Sequence, residues 1–153
     1  MADPNDLANE ISEARGRLLA FVAKCSAEQW VSEPMGSADP RSVSVIVDHV
    51  ADAYEYLGSW MEAMVAGEAV EVNPDMVDEL NAIHASRATS LERAEVIEHL
   101  GRSGDEMIGF VSRLTGDQLS MGDGHVELFA QIARRHADSH RSELEAALAL
   151  PAT

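Results

Sequence analysis

The sequence predicts an all-α fold: a four-helix bundle, up-down-down-up, with a long crossover between its second and third helices. Three observations carry this. Apolar residues recur at threes and fours along most of the chain, nothing alternates as a strand would, and residues 68–89 separate the second long stripe from the third without a sustained pattern of their own. At 153 residues and 46% hydrophobic content the chain reads as one domain over residues 1–153, burying roughly 70% of the surface an unfolded chain exposes.

The first helix is expected to open at Asp3-Pro4, with a capping side chain followed by proline where its missing N–H costs nothing, and to end near Ser26. Leu7, Ile11, Ala14, Leu18, Phe21, Val22 and Cys25 form its stripe. Asp39-Pro40 repeats the start signal for a second helix carrying Val43, Ile46, Val50, Ala53, Tyr54, Leu57, Met61 and Met64, which Gly67 should stop. Asn73-Pro74 and a brief stripe of Met76, Leu80 and Ile83 predict a short helix within the crossover. Thr89 and Glu92 fit a capping box for the third long helix, with Leu91, Ala94, Ile97, Met107, Phe110, Val111 and Leu114 expected inward and Gly101 and Gly104 weakening its middle. After the turn-rich LSMGDG, a fourth helix is expected from about His125 to Leu148, burying Phe129, Ile132, Ala133, Leu144 and Leu148.

An internal echo divides the chain. FVAKCSAEQW at residues 21–30 aligns with FVSRLTGDQL at residues 110–119, each ending an odd-numbered helix. Ser26 and Thr115 are expected to cap a short turn in each copy; a duplicated helical hairpin would explain the echo equally well.

A formal charge of −16 repels phosphate backbones and anionic lipid, so nucleic acid is not an expected partner. No apolar stretch approaches the ~20 residues of a membrane-spanning helix, so no membrane association is expected. The start, MADPNDLANE, lacks the pattern of a secretory signal and the single cysteine cannot form an internal disulfide, which makes the cytoplasm the expected location.

The chemistry concentrates in histidine. His136 and His140 in RRHADSHRSEL lie four residues apart on one helix face, roughly 6 Å along the axis, so both rings can turn toward a common point. Such a pair is half of a metal site, since open imidazole sites take about three protein ligands. His49, in DHVADAYEYL, is the third candidate: it lies 20 residues beyond Gln29 of the first echo, while His136 and His140 lie 18 and 22 beyond Gln118 of the second. A lone histidine on an apolar stripe is ordinarily a core residue with a hydrogen-bond partner, but three that converge are satisfied together by one ion. The other histidines fit this less well. His99, beside Glu98 and Arg102, reads as part of a solvated face; His84 lies on the crossover, at the surface or in a lid. His125 sits roughly 16 Å along the helix from His136, too far to share its ion.

Asp52 and Glu143 are weak catalytic candidates, as acceptors for a ligand ring N–H or as proton acceptors, and each also reads as an ordinary surface acid. Tyr56, two turns from His49, is a candidate pocket hydroxyl, whereas Tyr54 reads as packing and Cys25 as core. No HExxH, paired ExxH, P-loop or CxxC motif is present.

DHVADAYEYL with His49, RRHADSHRSEL with His136 and His140, the SAEQW and TGDQL turns and the order of helices together resemble the DinB-like, or YfiT-like, metal-binding bundles, a family that includes the N-terminal domain of mycothiol-dependent maleylpyruvate isomerase. The resemblance spans nearly the whole chain. It implies a divalent metal, zinc or nickel, on three histidines and frequent dimerisation, here as a homodimer. For some members it also implies transfer or isomerisation of a small-molecule substrate with a low-molecular-weight thiol such as mycothiol. ADPRSVSV replaces the aromatic-Ser start common before the first ligand helix, which alters one wall of any pocket.

Two classes of function are therefore expected. One is a metal-dependent enzyme, a thiol-dependent transferase or isomerase or else a hydrolase, favoured because three ligands leave an open position. The other is a non-catalytic, dimeric metal- or ligand-binding module. Turnover of electrophiles with thiol, lost on chelation, separates them.

Overall fold

The Asp3 carboxylate accepts a hydrogen bond from the Asn5 N–H, and with Pro4 at the first position it starts α1, Pro4–Lys24, where the sequence places it. The computed structural model describes residues 2–87 and 91–148, with residues 84–87 as backbone alone. At Ser26 and Gln29 a reciprocal capping box opens α2, Ala27–Val31, and Thr115 with Gln118 repeats it at α6, Gly116–Leu119. The two echo segments thus use one local solution, as expected.

The second long helix starts later than expected. Both Asp39 carboxylate oxygens are taken by the Arg41 guanidinium, at 2.8 and 2.7 Å, so Asp39-Pro40 closes a loop after a 3₁₀ turn at Gly36–Ala38. Ser42 caps α3, Val43–Val65, instead. Gly67 stops that helix as predicted: its φ of +85° lets the Glu68 N–H turn back to the Ala63 carbonyl at 2.9 Å. The crossover helix α4, Pro74–Arg87, starts where Asn73 accepts from the Met76 N–H, and at 14 residues it is longer than the sequence suggests. It rides on the bundle rather than joining it, with Met76, Val77 and Leu80 half-buried and Ile83 42% exposed.

The third long helix, α5 (Arg93–Ser112), corrects the sequence reading twice. Glu92 occupies the capping position without a side-chain cap bond, and Thr89 lies outside the described residues. Its buried stripe is Val96, Leu100, Ser103, Gly104, Met107 and Val111, while Ala94 and Ile97 face outward. The small, polar middle of that stripe hides its phase. Gly104 is small for a reason: a Cβ there would lie 2.5 Å from the Arg15 Cδ, and the Arg15 guanidinium crosses this gap to the Gly101 carbonyl and Asp105, both at 2.8 Å. The last helix, α7, spans His125–Ala147 and buries Val126, Phe129, Ala130, Ala133, Ala137 and Leu144.

α1 and α3 each pack against both α5 and α7. The polar ties between them climb in order: Glu10 to Arg134 and Arg17 to Asp138 join α1 to α7, while Ser44 to Leu91, then Asp48 to His99, tie α3 to the start of α5. Cohesion comes from the apolar interior. Ile11, Leu18, Val22, Val50, Met61 and Leu100 are fully enclosed and each stabilises by about 1.5–3 kcal/mol, whereas exposed pairs such as Arg134–Glu10 contribute about 0–1 kcal/mol. Among the described residues there is no strand, and no helix is long and apolar enough to cross a membrane.

Candidate metal centre

α3 and α7 run side by side with their ends opposed, so that His49 on one meets His136 and His140 on the other while Trp60 meets Phe129 farther along. The i, i+4 spacing puts both α7 imidazoles on the face that α3 covers. His49 Nε2 lies 3.1 Å from His136 Nε2, and one ring nitrogen from each of the three histidines falls within 4.8 Å of the others. The rings meet edge to face, with centroids 4.6, 4.9 and 5.2 Å apart and interplanar angles of 86°, 67° and 86°. This geometry points nitrogens inward instead of stacking the rings. Among the described residues it is the only group of three His, Cys, Asp or Glu side chains that converges so closely.

The donors fit an ion. Tetrahedral imidazole ligands at 2.0–2.1 Å from zinc stand about 3.3 Å from one another, close to the observed 3.1 Å. His140 Nδ1 is buried without a hydrogen-bond partner, 3.9 Å from the Glu143 carboxylate. Burial, assisted by the nearby His140 and Arg41 charges, lowers the His136 pKa to about 4. His140 is lowered too, chiefly by burial and also by Arg41, with Glu143 and Asp39 opposing. Both rings are therefore neutral at pH 7 with lone pairs available, as metal ligation requires. The three histidines could hold a metal ion.

The remaining candidates scatter around this centre. Glu143 is an exposed carboxylate on the His140 side. Asp52 sits between His49 and Tyr56 along α3, and its charge adds to burial in raising the Tyr56 pKa. Tyr56 lies against the Trp60 ring, centroids 5.0 Å apart. Tyr54 is fully buried, and Cys25 is a core thiol whose pKa burial raises against the opposing charge of Arg93. His125 is exposed and donates from Nδ1 to the Gly122 carbonyl at 2.6 Å, closing the turn before α7. The His84 side chain falls outside the described residues.

The reading of His99 as part of a solvated face is wrong. Its side chain is only 20% exposed, and the ring lies between two α3 carboxylates, with Nδ1 2.7 Å from Asp48 Oδ1 and Nε2 against Glu55 Oε1. Asp48 and Glu55 are seven residues apart, two turns on one helix face, and that spacing was the available signal. The Asp39–Arg41 pair, whose charges reach His140, was likewise missed because it was assigned to a helix start.

Comparison with curated proteins and with solved structures finds no match. The sequence profile of the DinB superfamily matches residues 10–144, a span that begins in α1 and takes in all three clustered histidines. The chain belongs to the DinB superfamily.

Proposed function

We propose that this protein is a divalent-metal-dependent enzyme of the thiol-dependent transferase or isomerase type, with His49, His136 and His140 as the ligands and an up-down-down-up bundle as the frame that holds them. The observation that carries the reading is the meeting of three imidazoles, His136 with strongly lowered and His140 with lowered proton affinity, with no fourth Cys, His or carboxylate converging on them among the described residues. A structural zinc site would close with four protein ligands; three leave a position for a reactant. A bound divalent ion supplies Lewis acidity, lowering the pKa of a coordinated water or thiol or polarising a substrate oxygen. The chain's own contribution is to present neutral nitrogens from two rigid helices and to keep Arg41, held by Asp39, near the α7 pair. Zinc or nickel suits the imidazole donors, a small electrophile and a low-molecular-weight thiol such as mycothiol are the reactants, and a cytoplasmic homodimer is the working form.

The test is metal content by elemental mass spectrometry on untagged protein, wild type against His136→Ala, followed by thiol-dependent turnover of an electrophile panel with and without chelator. Near-stoichiometric metal in the wild type, lost in a folded variant, together with chelator-sensitive turnover is the expected result. A wild type that stays metal-free when offered zinc or nickel overturns the reading. Metal binding without turnover would make the protein a binding module.

A further inference from the structure

Asp48 and His49 are consecutive in α3, so their side chains leave the helix about 100° apart. His49 turns to α7 and Asp48 to α5, where His99 accommodates both Asp48 and, two turns on, Glu55. The two carboxylates take opposite ring nitrogens, so this trio diverges and cannot enclose an ion of its own. A neutral imidazole carries one N–H; a ring that serves an acceptor at each nitrogen is an imidazolium. The surroundings agree: hydrogen bonding to Asp48, aided by Glu55, raises the His99 pKa to about 9 despite burial. His99 is itself held, because the Ser103 hydroxyl donates to its backbone carbonyl at 2.6 Å, and one turn before Asp48 the Ser44 hydroxyl accepts from the Leu91 N–H at 3.0 Å.

These ties bracket His49 along α3. A helix side-chain tip lies about 5–6 Å from the axis, so a 10° turn of α3 would move the His49 nitrogens by about 1 Å. Metal–ligand distances tolerate about ±0.2 Å. The close-packed apolar stripe limits such rotation, and the two-point charged bridge adds a definite azimuth to it.

We infer that His99 is a positioning residue for the metal centre: by bridging Asp48 and Glu55 as a cation it sets the rotation of α3, and so the aim of His49 at the ion. The inference rests on the three-histidine metal reading and adds a residue, on the α5 side of α3, that is held by Asp48 and Glu55 and lies outside the three-histidine group.

Cobalt(II) is the probe, added to the full-length metal-free protein at pH 7.5, with the visible d–d bands and the dissociation constant read for wild type, His99→Leu and His99→Arg. The expected result is that His99→Leu weakens cobalt binding by about tenfold or more and changes the band pattern, and that His99→Arg, which keeps the charge and two donors, restores both in large part. Should His99→Leu fail to fold by circular dichroism, Asp48→Asn and Glu55→Gln each remove one arm of the bridge at constant shape and are read in the same way. Variants that bind cobalt with the wild-type spectrum and affinity overturn the inference, even if they melt earlier, and reduce the bridge to a structural tie. A wild type that gives no d–d bands overturns the metal reading itself, an outcome visible before any variant is made.

Discussion

Neighbouring residues on α3 open onto two opposite environments for histidine. On the α7 side, His49, His136 and His140 crowd together, and burial drives His136 down to about 4. On the α5 side, His99 is also largely covered, yet two carboxylates drive it up to about 9. Burial alone would have lowered both. The surroundings decide: a buried imidazole beside other imidazoles gives up its proton and offers a lone pair, while one between carboxylates keeps its proton. The acidic composition thus also supplies the counter-charges for His99.

The contrast is broken most severely on the ligand side. Removing the ion from wild-type protein with a chelator should abolish the stabilisation that saturating metal provides, about 4 kcal/mol at a thousandfold excess over the dissociation constant, while metal should leave the melting temperature of His136→Ala nearly unchanged. A melting temperature in the wild type that ignores both metal and chelator would refute this. On the clamp side, His99→Leu leaves the Asp48 carboxylate, 14% exposed, without its cation, and should cost about 1–3 kcal/mol in urea unfolding. A cost below about 0.5 kcal/mol would mean that the seam relies on its apolar contacts.

Titration of the metal-free protein sharpens the comparison because the two sides have opposite signs. His99 has a raised folded pKa, so its contribution is fully present below 6.5 and is lost as pH climbs through about 9. For His136 the folded pKa is depressed, so its contribution is present above 6.5 and is lost as pH falls toward about 4. Stability measured from pH 4 to 10 in chelator should therefore slope downward on the alkaline side in wild type and flatten there in His99→Leu, with the acid limb unchanged. An alkaline slope that survives in His99→Leu would assign it to another group. The smallest effect belongs to the outer surface: Arg134→Ala, which breaks the half-exposed pair with Glu10, should change stability by less than about 1 kcal/mol and leave metal binding alone. A larger loss would show that this seam is stiffer than its exposure suggests.

Much of this was legible because it is local. Helix periods, the Asp3-Pro4 start, the Ser26 and Thr115 boxes, the Gly67 stop and the four-residue step from His136 to His140 all depend on residues within one or two turns of each other. His49 could be paired with them because the echo of residues 21–30 in 110–119 supplied a depth along the helices that no single motif carries. Errors arose where neighbours compete. Asp39 has the look of a helix cap until Arg41 claims both of its oxygens, and α5 seems to bury Ala94 and Ile97 until Gly104 has to admit Arg15.

The sequence by itself determined that the chain is helical, where most helices begin and end, and which imidazoles share a face, since backbone hydrogen bonding and capping are settled within a few residues. Only the tertiary structure decided that His99 keeps its proton and that His136 gives its proton up. His99 meets Asp48 from 51 residues away and Glu55 from 44, and His136 reaches His49 across 87. Proton affinity depends on the dielectric and the charges within a few ångströms, and those are set by how whole helices pack.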